Sequence, residues 1–259
     1  MPVLNTLIAG ILWLQAAQSV VASTVQPEAA VETAPEEGQV NFEQITHNVW
    51  IHTTHMSFTN WGLVPSNGLL VRGEQGTLVI DTGCSDEDMA QICNWAEANL
   101  APVVAVVITH SHVDSMGGID EAHTRDLPTI SHVLTQGIAE KEGKTKPKIG
   151  FEESYNLHAY GIEGECFYAG AGHSVDNIVV WLEDEKVLFG GCFIRPPSSK
   201  SLGNTADADI GQWPDSVQSV LNRYSDIEHV VPGHFRHGGA ELLSHTLDLL
   251  KTHEVGGDK

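Results

Sequence analysis

Basic residues are scarce in this sequence. It has 13 lysines and arginines against 34 aspartates and glutamates among its 259 residues, and its formal net charge is −21. Nucleic acids and anionic membrane surfaces attract proteins through clustered basic side chains, so neither is an expected partner. A Ser-x-x-Lys sequence is also absent, which excludes the hydrolases that use the serine of that motif as their nucleophile.

Charged residues are missing altogether from residues 1–22, where an apolar core at 4–14 precedes small residues. This pattern predicts a secretory signal peptide at 1–22, although the usual basic start is absent. Polar residues interrupt the stretch too often for a membrane-spanning helix. Residues 23–40 contain four glutamates, two prolines and no basic residue, which predicts a flexible acidic leader. We therefore expect a periplasmic protein, free of the membrane after cleavage, with one folded domain at 41–256.

The most informative stretch runs from residue 109 to residue 114 and reads Thr-His-Ser-His-Val-Asp. It follows an apolar run at 103–108 that is rich in β-branched residues and predicts a buried strand. His110, His112 and Asp114 are therefore expected together at the end of that strand. Imidazole and carboxylate groups are donors that zinc takes in proteins. The stretch thus predicts a metal site.

Three later strand ends carry further donors. His173 lies among small residues just before a predicted strand, Cys192 follows two glycines at the end of another, and His234 follows Val-Val-Pro-Gly. Ligands from several strand ends can meet at one site on a rigid scaffold. The resulting six donors divide into two sets of three, and each metal would keep the open position that is typical of catalytic zinc. This pattern indicates metal-assisted hydrolysis of an activated carbonyl.

These motifs resemble the metallo-β-lactamase family, subclass B1. The resemblance extends through Asp176-Asn177 and the segments 201–204 and 207–209. The resemblance implies an α/β fold of four layers, the αββα sandwich, with two Zn²⁺ ions at one edge of its two sheets. It also implies hydrolysis of the β-lactam amide bond of penicillins, cephalosporins and carbapenems by a hydroxide shared between the metals, and hence antibiotic resistance. The expected partner is the small-molecule β-lactam, and the chain is expected to be a monomer.

The roles of individual residues follow from the same resemblance. The family pattern implies that one zinc is held by His110, His112 and His173, and the other by Asp114, Cys192 and His234. Asp114 is also expected to orient the nucleophile, and Asn204 to help hold the lactam carbonyl. We expect Asp81 to support the site through hydrogen bonds rather than to bind metal.

Substrate contacts are implied in two further places. Met56, Phe58 and Trp61 lie in a segment that resembles the family's mobile flap. The third residue after the metal-binding cysteine is Arg195, where this subclass usually has lysine. Arginine still offers a positive fork to the substrate carboxylate, but with a different reach and geometry.

Two alternatives remain open from the sequence. A thioester or lactone hydrolase of the same superfold, similar to glyoxalase II, would carry a histidine directly after the aspartate, where this chain has Ser115. It would also carry an aspartate in place of Cys192. Both differences favour lactam hydrolysis. The second alternative is a secreted zinc-binding module without catalysis, which the open metal positions disfavour.

Overall fold

The computed structural model describes residue 36, residues 38–59 and residues 61–256, with side chains as far as residue 253. The predicted signal peptide and most of the predicted leader lie outside the described residues. Within the described part of the chain, no helix is both long enough and apolar enough to cross a membrane.

The first sheet has seven strands, which lie in the sheet in the same order as in the sequence. They are β1 (Asn41–Gln44), β2 (Val49–Phe58), β3 (Gly62–Gly73), β4 (Gly76–Ile80), β5 (Val103–Val107), β6 (Thr129–His132) and β7 (Ile149–Phe151). The first four strands form an antiparallel meander, and the last four run parallel to one another. Parallel neighbours need crossover connections, and helices supply them here.

The second sheet has five strands in the order β12-β11-β10-β9-β8. They are β8 (Ser154–Asn156), β9 (Gly164–Phe167), β10 (Val179–Leu182), β11 (Val187–Gly191) and β12 (His229–Pro232). Only the pair of β11 with β12 is parallel. Both of these strands therefore end at the same edge of the sheet.

Six α-helices lie among the described residues: α1 (Asp86–Asn99), α2 (Val113–Met116), α3 (Ile119–Thr124), α4 (Val133–Lys141), α5 (Trp213–Arg223) and α6 (Glu241–Gly256). Ser85 caps the start of α1, because its hydroxyl accepts a hydrogen bond from the amide of Asp88 at 3.2 Å. The three-residue turn His158–Tyr160 is a 3₁₀ helix.

Alternating strand residues build three apolar layers. Leu78 and Ile80 of β4 face the second sheet, whereas Val79 faces the layer that includes α1 and α3. Val180 of β10 likewise faces the first sheet, and Trp181 packs toward α5 and α6. Because successive strand residues point to opposite faces, each sheet buries both of its sides. The expected αββα sandwich is confirmed.

Three local features add detail to this architecture. The sequence at 157–168 predicts a strand, but the strand β9 begins only at Gly164, since His158–Tyr160 forms a 3₁₀ turn that Gly161 ends at φ +70°. The stretch of candidate ligands after β5 includes Asp114 in the single helical turn α2. The segment that resembles the flap includes the paired ends of β2 and β3, where Phe58 is paired to Gly62.

Candidate metal centre

The six predicted metal ligands meet at one edge of the sandwich. His110, His112 and Asp114 follow β5 of the first sheet, while the other three follow β9, β11 and β12 of the second. The amide of Ile178 donates to the carbonyl of Thr109 at 3.0 Å and ties the two sheets together at this edge. Ligands from both sheets therefore converge although they are far apart in sequence.

The ligand atoms form a continuous cluster. Those of Asp114, Cys192 and His234 lie within 4.8 Å of one another, as do those of His110, His112 and Asp114 and those of His110, His173 and Cys192. Nδ1 of His112 is 3.2 Å from Nε2 of His173, and Sγ of Cys192 is 3.2 Å from both Oδ2 of Asp114 and Nε2 of His234. Nitrogen, sulfur and carboxylate donors at this density fit the chemistry of zinc.

Ring orientation also suits metal binding. Nδ1 of His234 is 2.9 Å from the carbonyl of Pro65, which favours a proton on Nδ1 and leaves Nε2 to face Asp114 and Cys192. Nε2 of His110 is buried and has no hydrogen-bond partner among the described residues. A buried imidazole nitrogen without a partner is costly in the fold. A metal ion would satisfy it, so the residues present fit zinc.

Asp81 is linked to His110 through a network of hydrogen bonds. Its carboxylate accepts hydrogen bonds from the amide and hydroxyl of Thr109, both at 2.8 Å, and from the hydroxyl of Ser115 at 3.1 Å. The same Ser115 hydroxyl is 2.8 Å from Nδ1 of His110. Asp81 has no place in the metal cluster, and the expectation that it supports the site by hydrogen bonding is confirmed. Ser115 performs this supporting role at the position where a glyoxalase II-like enzyme would carry a ligand histidine.

Burial and mutual charge shift the ionisation of the cluster. Burial lowers the pKa of His110 to about 4, against the opposing effect of Asp114. Burial and the neighbouring imidazoles of His110 and His112 lower the pKa of His173 well below its ordinary value. Burial alone would raise the pKa of Asp114, but His110 and His234 together hold it below its ordinary value. His110 and His173 are therefore neutral and Asp114 is ionised near pH 7, which are the forms that bind metal.

Cys192 differs from the other ligands. Burial, together with the carboxylate of Asp114, raises the pKa of its thiol well above the ordinary value. A coordinating metal ion opposes this shift, because it binds the thiolate and displaces the proton. Space around the sulfur is limited, since a Cβ added at Gly233 would lie 2.6 Å from Sγ. The glycine before His234 is therefore needed for both ligands to approach.

A cleft of about 690 Å³ opens above the cluster. Of the expected substrate-binding residues, Phe58, Trp61, Arg195 and Asn204 line it, and Met56 does not. Met56 instead lies within β2, paired with Val64 across the hairpin. The flap therefore contributes its tip to the cleft.

Arg195 lies against the glycine that precedes Asn204. It is 8% exposed and lines the cleft. A Cβ on Gly203, which has φ +71°, would lie 2.8 Å from Nη2 of Arg195. Burial lowers the pKa of Arg195, although Cys192 opposes the shift. The side chain keeps its charge nonetheless, because an arginine pKa starts far above neutrality.

Sequence reasoning assigned no role to several residues that lie at this site. Asp207 is 3.1 Å from Nε2 of His112 through its Oδ2 atom, so it orients the ligand from the side opposite His173. The cleft is also lined by Leu63, Val64, Val113, Lys144 and Phe235. Asp207 lies in one of the segments that carried the resemblance, but no local pattern showed that it would face His112, 95 positions away.

Comparison with known proteins agrees with this geometry. The family model of the metallo-beta-lactamase superfamily matches residues 61–234. The chain is 39% identical to a metallo-beta-lactamase type 2 of Bacillus cereus, covering 88% of this chain and 91% of the relative. It is 32% identical to a protein of the same name from Bacteroides fragilis, covering 82% and 85%. The solved metallo-beta-lactamase from Pontibacter korlensis is 38% identical and superposes with a TM-score of 0.79, covering 82% of this chain and 99% of that one.

Proposed function

This chain belongs to the metallo-β-lactamase superfamily and hydrolyses β-lactams with zinc, conferring resistance to them, and on that premise we propose a role for each residue of the site. Two zinc ions bind per chain. The first is held by His110, His112 and His173, and the second by Asp114, Cys192 and His234. Penicillins, cephalosporins and carbapenems are all substrates.

The observation that carries this proposal is the position of the Asp114 carboxylate between the two sets. Its Oδ1 atom is 3.7 Å from Nε2 of His110, and its Oδ2 atom is 3.4 Å from Nε2 of His234. One carboxylate therefore faces a ligand of each proposed metal. Three protein ligands for each metal leave a position open on both, as a catalytic site requires.

Zinc, when bound, would supply a Lewis acid for the lactam carbonyl. It would also lower the pKa of water, so that the water can lose a proton and attack near neutral pH. The chain's own residues orient the reactants. Asp114 accepts a hydrogen bond from the attacking water and aims it at the carbonyl carbon. Asn204 lines the same cleft, and its side-chain amide donates to the carbonyl oxygen as negative charge develops there.

The remaining contacts hold the rest of the substrate. Arg195 binds the ring carboxylate through its planar guanidinium, which suits bidentate recognition. It is a cation of the cleft in a chain with a net charge of −21, so it also attracts the anionic substrate locally. Phe58 and Trp61 cover the substrate from the hairpin tip, and their rings are 6.2 Å apart.

We further propose that the protein acts in the periplasm as a monomer, exported by residues 1–22. Support comes from the charge-free N-terminal stretch and from the acidic composition of the chain. Amino-terminal sequencing of the exported protein would test cleavage. Sedimentation of the zinc-loaded protein would test the oligomeric state, since a stable dimer would contradict the monomer.

The test of the two-metal assignment is hydrolysis of imipenem and nitrocefin by the exported protein, with zinc counted in the same sample. We expect close to two zinc ions per chain, activity that a chelator abolishes, and recovery when zinc is returned. One zinc ion at full activity would contradict the second set. Hydrolysis of nitrocefin without imipenem would contradict the carbapenem part of the proposed substrate range.

A matched pair of variants tests the role of Asp114. Asp114→Asn keeps the shape of the side chain but removes its charge, and kcat should fall by at least about 100-fold. Asp120→Asn is the control, because Asp120 lies six residues away in α3 with an exposed side chain. Equal losses in the two variants would contradict a specific role for Asp114.

A further inference from the structure

Phe235 has an unusual backbone conformation next to the metal centre. It follows the ligand His234, and its φ angle is +60°. Asp81, Asp126 and Lys186 are the other described non-glycine residues with positive φ. Bulky side chains are disfavoured in the left-handed region because Cβ approaches the backbone, and phenylalanine lacks the local hydrogen bonding that aspartate can offer. The backbone at this position would accept glycine more readily.

Burial does not compensate for this conformation. The Phe235 side chain is 50% exposed, and it lines the cleft above the metal cluster. An aromatic ring stabilises a fold mainly by leaving water, so half of that gain is forgone here. Neither backbone preference nor core packing accounts for phenylalanine at this position.

The conformation is held by Asn67 of β3. Its side-chain amide donates to the carbonyls of Pro232 at 2.9 Å and Phe235 at 2.7 Å. Its backbone amide donates to the carbonyl of Gly233 at 2.8 Å, and the hydroxyl of Thr53 fixes its amide oxygen at 3.0 Å. Strained residues persist where neighbouring structure determines them in this way, and they concentrate at functional sites.

The environment of the ring indicates its ligand. The cleft presents further partly exposed apolar side chains, Trp61 at 59%, Leu63 at 38% and Val113 at 39%. Arg195 lines the same cleft and is proposed to bind the ring carboxylate. In a penicillin, that carboxylate and the acylamino group lie at opposite ends of the fused rings. The acylamino group is therefore the part of the substrate that can contact the apolar side chains of the cleft.

We propose that Phe235 is a specificity-determining residue, whose ring contacts aromatic or bulky apolar acylamino groups of β-lactam substrates. The inference rests on the proposed function, since it requires a lactam seated over the metals with its carboxylate toward Arg195. Stacking on an aromatic face favours flat apolar groups. A substrate without such a group gains nothing from the ring.

Two substrates isolate this contact. Benzylpenicillin carries a phenylacetyl group on its amine, whereas 6-aminopenicillanic acid has the same rings and carboxylate without that group. Phe235→Ala should lower the ratio of kcat/KM for benzylpenicillin to kcat/KM for 6-aminopenicillanic acid by about fivefold. Phe235→Tyr, which keeps the ring, should restore most of the ratio.

Phe235→Gly separates the ring from the backbone. It should lower the ratio as far as Phe235→Ala does, but its Tm should exceed that of the alanine variant by about 2–4 °C because glycine accepts positive φ. Lys186→Gly is the control. Lys186 also has positive φ, +51°, but it precedes β11, whereas Cys192 follows the other end of that strand. Its ratio should equal that of the unmodified protein.

Three outcomes would overturn the inference. An unchanged ratio in Phe235→Ala would mean that the ring does not touch the acylamino group. A Phe235→Gly variant no more stable than Phe235→Ala would mean that no strain is stored there. A lowered ratio in Lys186→Gly would mean that the effect is not specific to the cleft. Failure of the unmodified protein to hydrolyse benzylpenicillin would instead contradict the proposed function.

Discussion

Replacing Ser115 with alanine should weaken zinc binding without removing any ligand. The Ser115 hydroxyl lies 2.8 Å from Nδ1 of His110 and donates to the carboxylate of Asp81 at 3.1 Å. If Nε2 of His110 holds a metal ion, Nδ1 carries the proton and donates to the Ser115 hydroxyl, which in turn donates to Asp81. The alanine variant breaks this chain at its middle and frees His110 to rotate.

The expected loss in zinc affinity depends on the hydrogen-bond partners that remain for Nδ1 of His110. Loss of a hydrogen bond that orients a metal ligand costs about 10- to 100-fold in affinity, which corresponds to about 1.4–2.7 kcal/mol. The hydroxyl of Thr109 is 3.3 Å from the same Nδ1 atom and can partly replace the lost partner. We therefore expect the lower end, about tenfold.

The assay is lactam hydrolysis at free zinc concentrations set by a chelator buffer. Ser115→Ala should need about tenfold more free zinc for half-maximal activity, and saturating zinc should restore most of kcat. Ser131→Ala is the matched control, because that buried hydroxyl donates only to the carbonyl of His132. A zinc requirement equal to that of the unmodified protein would refute the role given to Ser115.

Three further predictions concern other parts of the molecule. Cys192→Ser should lower the zinc content from close to two toward one per chain and reduce the rate, with an unchanged far-ultraviolet circular dichroism spectrum; unchanged zinc content and rate would contradict the second set. Arg195→Met should raise KM by about tenfold with less effect on kcat, because it removes a charged contact to the substrate carboxylate. Burial lowers the pKa of His52 from 6.5 to about 4, so the unfolded chain binds a proton that the folded chain does not between those values. Urea unfolding of the zinc-loaded protein should therefore show stability lost as the pH falls from 6.5 to 4, by at most about 3 kcal/mol, and His52→Gln should lack that contribution.

The parts of the fold and site that the sequence predicted depend on strong local patterns. The β-branched run before His110 predicts a buried strand, and β5 (Val103–Val107) lies there. The metal ligands could be found because each follows a strand and most have glycine nearby. Strand ends at one edge of a sandwich converge whatever their separation along the chain.

The parts that the sequence did not predict depend on contacts between distant segments. Asp207 orients His112, and Asn67 holds the turn around Phe235, but neither pairing leaves a periodic signal in either segment. The late start of the strand predicted at 157–168 depends on the 3₁₀ turn and the positive φ of Gly161, which a glycine permits but does not require. Residue type determines which conformations and contacts are available at a position, and tertiary packing determines which of them form.

Backbone strain at the metal centre also depends on contacts between distant segments. Asp81 and Phe235 both have positive φ and both adjoin the site, yet the cost is offset in different ways. Asp81 receives three hydrogen bonds from Thr109 and Ser115, so its conformation is stabilised within the fold. Phe235 is held through its carbonyl by the side-chain amide of Asn67, whereas its ring remains half exposed, so packing of the ring offsets little of the cost. Substitutions at Asp81 should therefore lower stability, whereas a glycine at position 235 should preserve stability and change selectivity.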